Sequence, residues 1–464
     1  MPWPWDSLRH GPHLRLPVRT RVHARAQQPF QVIVVAFAAA VAVGTLLLLL
    51  PAASRQAGGA SFVEALFTAT SAVCITGLVV VDTATFWTPF GQAVILGLIQ
   101  AGGFGILTFA SLLGLLVARR LGLRTRITTA TETHSIAIGD VRSVVVGIIK
   151  ISLLVEGVTA LLIAARLAVG YDEPLLRAVW LGVFHGVSAF NNGGFALYSD
   201  SWIGFVGDPW MCLPIAVAVI AGGLGFPVLM QLRRELRELR LWTITTRIVL
   251  LGTAVLLLAG TAFVTAMEWS NNRTLGTLDT RGRLLAGFFH AVMPRSGGFN
   301  SVDVGAMDPA TWLGLDVLMF IGGGPASTAG GIKITTFAVL FFIIYTELRG
   351  EGAVNVLGKR LPRSTHRQAI TVALLSVAFV VISTIVVVTI TEFTLDRVLF
   401  EVISAFATVG LSTGITADLP ATAQLVLVAL MFIGRLGPIT LGSALALRQQ
   451  TRLYELPKER PIIG

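Results

Sequence analysis

One interval occurs four times in this sequence: a phenylalanine followed by a glycine ten residues later. The four pairs are Phe67 and Gly77, Phe184 and Gly194, Phe288 and Gly298, and Phe400 and Gly410. Three of the intervals also carry Ser-Ala, at 71–72, 188–189 and 404–405, whereas the third has Val-Met at 292–293. Four short helices that each end at a glycine are typical of four pore loops around one axis, so the spacing predicts an ion pathway.

The composition places these loops in a membrane. Hydrophobic residues make up 54% of the chain and charged residues 13%, whereas a soluble domain is about a quarter charged. Runs of about 20 apolar residues, enough to span a bilayer as helices, occur along the whole sequence. The first run, 30–50, has no small-residue cleavage pattern, so we interpret it as a retained helix and not as a signal peptide.

The four intervals lie in four repeats of one order: an apolar span, a short external helix, a glycine and a second span. We predict an all-α integral membrane protein with four parallel M1–P-loop–M2 repeats around a quasi-fourfold central pore. It would have eight transmembrane helices plus four pore half-helices. The predicted first spans are 30–50, 143–169, 246–267 and 368–391, and the second spans are 88–117, 210–230, 311–347 and 422–447.

The repeats give the predicted boundaries. They are 1–29 for a cytoplasmic basic N-terminal segment, 30–142 for repeat 1, 143–245 for repeat 2, 246–367 for repeat 3 with a broken second span, 368–447 for repeat 4 and 448–464 for a cytoplasmic C-terminal tail. Each second span also contains a glycine-rich segment in matching register, at 102–105, 222–227, 322–325 and 434–438. One such segment is typical of close helix packing, but four in register predict a kink in every second span.

The net charge of +10 is unevenly distributed. Lys and Arg are concentrated in 1–29, 119–142, 231–247, 347–367 and 448–464, whereas the opposite connections are acidic. This asymmetry follows the positive-inside rule and predicts that both termini are cytoplasmic in a multi-pass protein of the bacterial plasma (inner) membrane. A membrane explains the charge, so no nucleic-acid partner is expected. All pore loops then face the acidic side, which is unlike the inverted repeats of alternating-access carriers.

The loops have the chemistry that a dehydrated cation requires. Backbone carbonyls replace its water without a full charge that would trap it, and glycine tolerates the backbone angles that point them at one axis. The half-helices direct their partly negative C-terminal ends at the same site. The candidate filter residues are Cys74, Ile75, Thr76 and Gly77; Asn192, Gly193 and Gly194; Ser296, Gly297 and Gly298; and Thr408, Val409 and Gly410.

A second set of residues predicts a gate. The stretch 322–331 cannot hold a straight helix, so it should break the second span of repeat 3 and place a loop in the pore. Arg435 lies mid-membrane, where a charge is costly; it would set a barrier to cations or tie the structure to a carbonyl or carboxylate. The candidate gate residues are Gly322, Gly323, Gly324, Pro325, Ala326, Ser327, Thr328, Ala329, Gly330, Gly331, Lys333 and Arg435.

Other polar residues near the loops have structural interpretations. Arg295 is interpreted as a clamp paired away from the axis, and Glu156 as a charge paired inside the bundle. The pair Asn191 and Asn192 is expected to cap and brace the second loop. His185 and His290 occupy equivalent positions in two half-helices and are interpreted as structural residues, not metal ligands. Four outer acids either concentrate cations or are solvated loop residues: Asp82, Asp200, Asp303 and Asp418.

Five motifs carry a resemblance to a known family. They lie at 71–83, 188–192, 294–301, 326–333 and 431–438, in a resemblance that covers about 28–460. At these motifs the chain resembles the Trk/Ktr/HKT superfamily of potassium transport proteins, most closely the KtrB-type membrane subunits of bacteria. The resemblance implies K⁺ uptake, with K⁺ at the filter carbonyls of Gly77, Gly194, Gly298 and Gly410, and it implies that 322–331 is an intramembrane gating loop.

The resemblance also implies partners. It implies a homodimer in membrane lipid, on a cytoplasmic KtrA-like regulatory ring that binds ATP or ADP, with no cofactor tightly bound to this chain. Relatives that select Na⁺ often have Ser at the first filter position, so Gly77 favours K⁺. Gly193 and Gly297 stand where the family often has Ala, and Pro325 where it usually has a small polar residue. The segment 231–247 is a candidate docking surface, or alternatively a contact with the inner leaflet.

Three alternatives stay open at this point. The first is a sodium or poorly selective monovalent cation transporter of the same superfamily. The second is a secondary carrier for an organic solute, and the third is a membrane enzyme. A carrier would show inverted repeats and midplane polar pockets. An enzyme would need clustered acids and histidines or an activated nucleophile, and the seven histidines are scattered, so no enzymatic activity is expected.

Overall fold

The structure is a computed structural model that describes residues 28–120, 141–351 and 353–437, with backbone alone for 28–30, 106–120 and 141–144. The basic N-terminal segment, the C-terminal tail and Pro438 lie outside the described residues, and so does most of the basic segment 119–142. The predicted cytoplasmic position of both termini therefore stays a prediction.

Four long helices correspond to the predicted first spans. They are α1 (Gln28–Leu48), α4 (Val141–Gly170), α8 (Ile244–Glu268) and α12 (Arg363–Ile390). In the part of the chain that the structure describes, these four helices are long and apolar enough to cross a membrane. Only 22–33% of the residues in the apolar stretch of each helix are buried inside the protein. A helix that is apolar on its exposed faces requires an apolar solvent, so this is a membrane protein.

Four short helices follow the long ones. They are α2 (Phe62–Val73), α5 (Leu175–Phe190), α9 (Thr280–Val292) and α13 (Leu395–Phe406). Two begin at strong caps: Ser61 and Glu64 form a capping box, and the Asp279 carboxylate accepts from the Gly282 N–H at 2.8 Å. Each short helix packs against the preceding long helix, so its N-terminus lies at the same end of the bundle as the connection between them.

The second spans differ from one another. They comprise α3 (Pro89–Arg120), α6 (Pro209–Leu224) with α7 (Phe226–Glu235), α10 (Pro309–Phe320) with α11 (Ile334–Leu348), and α14 (Ala421–Leu436). The helices α6 and α7 meet at 99°, and they are long and apolar enough to cross a membrane only if they form one bent span. The total of eight transmembrane helices therefore stays a prediction.

Two of the second spans are broken within the described residues. Gly225, at φ 91°, lies between α6 and α7, and 321–333 separates α10 from α11. Gly437, at φ 82°, follows the end of α14. At 102–105 the helix α3 continues without a break, so the kink expected there stays a prediction. A Cβ on Gly102 would meet the carbonyl of Val73, so glycine serves close helix packing there.

The remaining elements are short. A two-stranded antiparallel hairpin, β1 (Asn355–Val356) and β2 (Lys359–Arg360), lies between α11 and α12. Short 3₁₀ helices lie in the connections, at Ile203–Phe205, Leu239–Leu241, Leu275–Thr277, Val304–Ala306 and Thr416–Asp418.

The short helices bury their aromatic residues, and the structure changes one of the four intervals. Phe67, Phe184 and Phe400 are fully buried, but in α9 the fully buried residue is Phe289 and not Phe288. The third interval is therefore nine residues (298 minus 289). The cause is a loop shortened by one residue: the Gly297 N–H donates to the carbonyl of Met293, four residues back, whereas Thr76, Gly193 and Val409 each donate to a serine carbonyl five residues back.

Candidate ion pathway

The four loop glycines meet one another. A Cβ on Gly77 would lie 2.8 Å from the Cα of Gly194, and a Cβ on Gly298 would lie 2.7 Å from the same atom. A Cβ on Gly410 would lie 3.0 Å from the Cα of Gly77 and 3.2 Å from that of Gly298. These approaches close a ring in chain order, which we call the glycine ring (Gly77, Gly194, Gly298 and Gly410). A side chain at any of these positions would meet neighbouring backbone.

The backbone before each ring glycine has one shared conformation. The ring glycines have φ of 89°, 68°, 73° and 94°. Two residues earlier, a non-glycine residue is also at positive φ: Ile75 (56°), Asn192 (60°), Ser296 (80°) and Thr408 (48°). The residue between each pair is not at positive φ. Alternation of this kind directs successive peptide groups the same way, so that carbonyls converge on one side.

This conformation is strained. A β-branched residue at positive φ, such as Ile75 or Thr408, is a genuine outlier and costs on the order of 1–3 kcal/mol. Strain of this size persists only where the surrounding structure imposes it, and it concentrates at functional sites. Its occurrence in all four loops at the same register indicates that the loop geometry itself is the functional feature.

The Ser-Ala pairs have a physical role that the sequence did not show. The Ser71 hydroxyl donates to the Leu78 carbonyl at 2.7 Å and accepts from the Gly77 N–H at 3.1 Å. The Ser188 hydroxyl donates to the Phe195 carbonyl at 2.9 Å, and that of Ser404 accepts from the Gly410 N–H at 3.1 Å. These serines fix the backbone around the ring glycines. The serine side chain recurs in three of the four loops because it occupies the same position behind each of them.

In three of the four repeats, the residue that directly follows the buried phenylalanine is a hydrogen-bond acceptor for the segment after the loop. In each case the donor is a backbone N–H of that segment. His185 Nε2 accepts from Leu197 at 3.0 Å, His290 Nε2 from Ser301 and Val302 at 3.2 Å, and the Glu401 carboxylate from Thr413 at 2.9 Å. Nε2 of each histidine must therefore be unprotonated, and this geometry agrees with a structural role for His185 and His290.

Removal of the acceptor at His185 tests this role. His185→Leu should lower the free energy of unfolding by about 1–3 kcal/mol, because the buried Leu197 N–H loses its partner. His185→Gln, which keeps an acceptor, should recover much of that loss. Thermal unfolding of both variants in detergent measures the difference. Equal melting temperatures for the Leu and Gln variants would show that the hydrogen bond contributes nothing.

The outer acid Asp82 braces two loops. Its carboxylate accepts from the Ala84 N–H at 2.9 Å, from the Thr85 hydroxyl at 2.7 Å and from the Ser199 hydroxyl at 2.5 Å. Partial burial alone would raise the pKa of Asp82, but these hydrogen bonds outweigh it and hold the pKa below its ordinary range. Asp82 is therefore ionised at neutral pH, and Ser199 ties the first outer loop to the second.

The stabilisation by Asp82 should depend on pH. Because its pKa is lower in the folded state, the carboxylate stabilises the fold above pH about 4 and loses that contribution as the pH falls further. We expect Asp82→Asn to lower the free energy of unfolding by about 1 kcal/mol at neutral pH, a value kept small because the group is half-exposed. The difference from wild type should shrink in thermal unfolding as the pH falls below about 4, because the carboxylate then becomes protonated in the folded state as well. A constant difference across this range would contradict the assignment.

The predicted gate residues lie against the ring. In 321–333 most residues are buried, whereas Pro325, Ala326, Gly331 and Lys333 are half-buried. The Gly324 N–H donates to the Gly223 carbonyl at 2.8 Å, which joins the loop to the end of α6. The loop therefore spans the break between α10 and α11 and fits into the break between α6 and α7.

A direct hydrogen-bond chain links this loop to the ring. The Gly330 N–H donates to Ser296 Oγ at 3.3 Å, and Ser296 Oγ donates to the Thr408 carbonyl at 2.7 Å. Ser296 and Thr408 are the strained residues two positions before Gly298 and Gly410. A displacement of the loop at Gly330 would therefore act directly on two of the four filter segments.

Two cationic side chains hold adjacent carbonyls of the loop. Arg435 Nη1 donates to the Thr328 carbonyl, and Lys333 Nζ donates to the Ala329 carbonyl. Arg435 is buried, and its Nε and Nη2 atoms have no hydrogen-bond partner among the described residues. Neither cation forms an ion pair within the described ranges. Their charge is therefore not cancelled locally.

Two interpretations of polar residues need correction. Glu156 forms no ion pair among the described residues; its carboxylate accepts from Gln100 Nε2 at 3.2 Å and from Asn191 Nδ2 at 3.0 Å, so amides satisfy it. Asn191 thereby braces the second loop from α4. The clamp expected for Arg295 is wrong, since its buried guanidinium has no hydrogen-bond or ion-pair partner in the described part of the chain.

Comparison with known proteins identifies the family. A family model described as TrkH, cation transport protein, matches residues 10–451. The chain belongs to the TrkH family. Ktr system potassium uptake protein B of Bacillus subtilis (strain 168) is 38% identical over 426 residues, which cover 92% of this chain and 94% of that protein. The Vibrio alginolyticus protein of the same name is 36% identical, with 97% and 98% covered.

Two further relatives extend the comparison. The potassium/sodium uptake protein NtpJ of Enterococcus hirae is 32% identical to this TrkH-family chain, with 96% of this chain and 99% of that protein covered. The crystal structure of the potassium transporter TrkH from Vibrio parahaemolyticus superposes with a TM-score of 0.73 at 18% identity, over 92% of this chain and 87% of that one. At this identity the likeness shows a shared fold.

Proposed function

We propose that this chain is the ion-translocating subunit of a Ktr-type potassium uptake system, with four parallel repeats around a central pore. K⁺ binds at the filter carbonyls of Gly77, Gly194, Gly298 and Gly410. The observation that carries this proposal is the glycine ring, in which four loops of identical φ alternation converge. Supporting observations are the repeated serine braces and the names of relatives at 36–38% identity.

The intramembrane gate is part of this proposal. The loop 322–331 closes the pathway on the cytoplasmic side of the ring, and Lys333 and Arg435 hold its carbonyls while they present positive charge to the ion. A cation barrier of this kind lowers K⁺ occupancy until the loop moves. The hydrogen-bond chain from Gly330 through Ser296 to Thr408 supports a coupling between loop position and filter geometry.

The proposed setting is the bacterial plasma membrane, with both termini cytoplasmic. The chain forms a homodimer in lipid and binds a cytoplasmic KtrA-like ring that carries ATP or ADP, while the chain itself binds no cofactor tightly and no nucleic acid. Support comes from the relatives, whose names describe them as one protein of a system. In 231–247, exposed Leu236 and Leu239 stand beside exposed Arg237 and Arg240. This surface suits either the ring or the inner leaflet.

A sodium or poorly selective pathway is the second candidate. The similarity to a relative whose name includes sodium favours it. The two candidates share the fold and the ring, and only ion competition separates them.

Ion competition therefore tests the proposal. We expect ⁸⁶Rb⁺ uptake into proteoliposomes that hold this chain, reduced by K⁺ and unaffected by equal Na⁺, and weakened in Gly194→Ser. Equal competition by Na⁺ with an unchanged variant would support the second candidate. If the chain alone gives no uptake, the same assay is repeated with the cytoplasmic regulatory subunit added, and failure there would contradict the proposal.

A further inference from the structure

The third filter loop lacks the serine that braces the other three. In repeats 1, 2 and 4 a serine hydroxyl holds the backbone around the ring glycine, whereas repeat 3 has Val292 and Met293 in the corresponding stretch. Gly298 nevertheless has a positive φ and the same close approach to neighbouring loops as the other ring glycines. The third filter segment is therefore held by other contacts.

The residue after Gly298 packs against a tryptophan of repeat 2. Phe299 and Trp202 are both fully buried, their ring centroids are 5.7 Å apart, and the rings meet edge to face at 66°. The same indole lies 4.7 Å from the His185 ring, at 68°, on the half-helix α5. Edge-to-face geometry is a favoured arrangement of aromatic pairs. Of the four residues that directly follow the ring glycines, only Phe299 has an aromatic contact in the part of the chain that the structure describes.

The main chain makes the same connection between repeats 2 and 3. The Trp202 N–H donates to the Asn300 carbonyl at 2.9 Å, and the Asn300 N–H donates to the Ser201 hydroxyl at 3.3 Å. Ser201 has a φ of 57°, and such a conformation persists only where the surrounding structure imposes it. The indole N–H of Trp202 donates to the Met211 carbonyl at 3.3 Å, which fixes the plane of the ring. Both backbone polar groups of Asn300 and the ring of its neighbour are thus held from repeat 2.

We propose that Trp202 is a positioning residue for the third filter segment and a determinant of ion selectivity. It acts through Phe299 and Asn300, in place of the serine that repeat 3 lacks, and so fixes where the backbone at Gly298 points. The positions of the filter carbonyls decide which ion they coordinate best in exchange for its hydration shell. Loss of the indole should therefore let this segment move and weaken the preference for K⁺ over Na⁺. This inference rests on the proposed function, because it requires that the glycine ring binds the ion.

Equilibrium binding of ⁸⁶Rb⁺ to the purified full-length chain in detergent, displaced by K⁺ or Na⁺, tests the role of Trp202 without transport. Trp202→Leu removes the aromatic ring but keeps an apolar side chain. It should weaken ⁸⁶Rb⁺ binding about threefold to tenfold, the size expected for loss of an aromatic contact. It should also lower the ratio of the Na⁺ displacement constant to that of K⁺. Trp202→Phe keeps an aromatic ring and should recover part of both losses.

Trp87→Leu is the matched control. Trp87 is also fully buried, but it lies in the connection between Gly77 and α3, and its ring contact is with Phe86. Both Leu variants should have a lower melting temperature, since each loses a large buried side chain, but only Trp202→Leu should change the displacement constants. Ser201→Ala removes only the hydroxyl that accepts from the Asn300 N–H, and it should change them in the same direction by a smaller factor.

The outcomes separate this inference from the proposed function. Wild-type affinity and ion preference in folded Trp202→Leu would overturn the inference alone, and so would an equal change in Trp87→Leu. If Trp202→Leu does not fold, unchanged displacement constants in Ser201→Ala would overturn it. Absence of saturable ⁸⁶Rb⁺ binding in folded wild type would contradict the proposed ion site itself, and the inference with it. Equal displacement by K⁺ and Na⁺ in wild type would contradict a role of Trp202 in selectivity and favour the second candidate function.

Discussion

Gly298→Ala should lower selective ⁸⁶Rb⁺ uptake about tenfold or more while the protein remains folded. The added Cβ would lie 2.7 Å from both the Cα of Gly194 and the carbonyl oxygen of Val409. Both are backbone atoms of neighbouring loops, so no side-chain rotation relieves the contact. The residue also has φ of 73°, where alanine is strained. Strain of about 1–3 kcal/mol at the ion site corresponds to a change of about tenfold or more in ion binding.

The control for this prediction is a Gly→Ala substitution at Gly193, which directly precedes the ring glycine Gly194. Gly193→Ala places a Cβ no closer than 3.1 Å to any neighbour, and its φ is not positive. It should retain uptake near wild type and the same preference for K⁺ over Na⁺. If both variants transport alike, the ring geometry does not determine ion passage, and the site must be sought elsewhere.

The sequence was sufficient for the positions of the four long helices and the four loops. Hydropathy located the first spans to within a few residues: the prediction 246–267 corresponds to Ile244–Glu268. This succeeded because length and apolarity alone define a spanning helix. Composition also predicted an interruption at 322–331, because consecutive glycines lower helix stability, and the structure has it at 321–333. The recurring glycine interval predicted that Gly77 and Gly410, more than 300 positions apart in the chain, lie at one site. Local sequence patterns alone do not predict such contacts.

Other features depend on contacts that the sequence does not display. At Gly102 the same glycine pattern that ends α6 lies inside a continuous helix, because the neighbouring Val73 backbone takes the space that a side chain would need. The sequence does not show whether Phe288 or Phe289 is the buried phenylalanine of α9. The answer depends on the third loop, which is one residue shorter than the others, so that Phe289 is buried. The positive φ of Ile75 was not predictable, since isoleucine disfavours it and tertiary packing imposes it.

The last prediction concerns Arg435. Arg435→Gln should raise ⁸⁶Rb⁺ uptake by the chain about tenfold, because it removes a buried positive charge beside the gating loop. Coulomb repulsion of about 1.4 kcal/mol, which is of the order expected between unit charges at an effective dielectric constant of about 20, corresponds to this factor of ten. The Thr328 carbonyl also loses its donor, which weakens one of the contacts that hold the loop closed.

Arg435→Lys is the matched variant, because it keeps the charge but shortens the reach to Thr328. Slow uptake in the Lys variant and fast uptake in the Gln variant would assign the barrier to charge. Fast uptake in both would assign it to the hydrogen bond that holds the loop. Loss of uptake in the Gln variant together with a lower melting temperature would contradict the barrier. In that case Arg435 has a structural role, because it ties α14 to the loop through the Thr328 carbonyl.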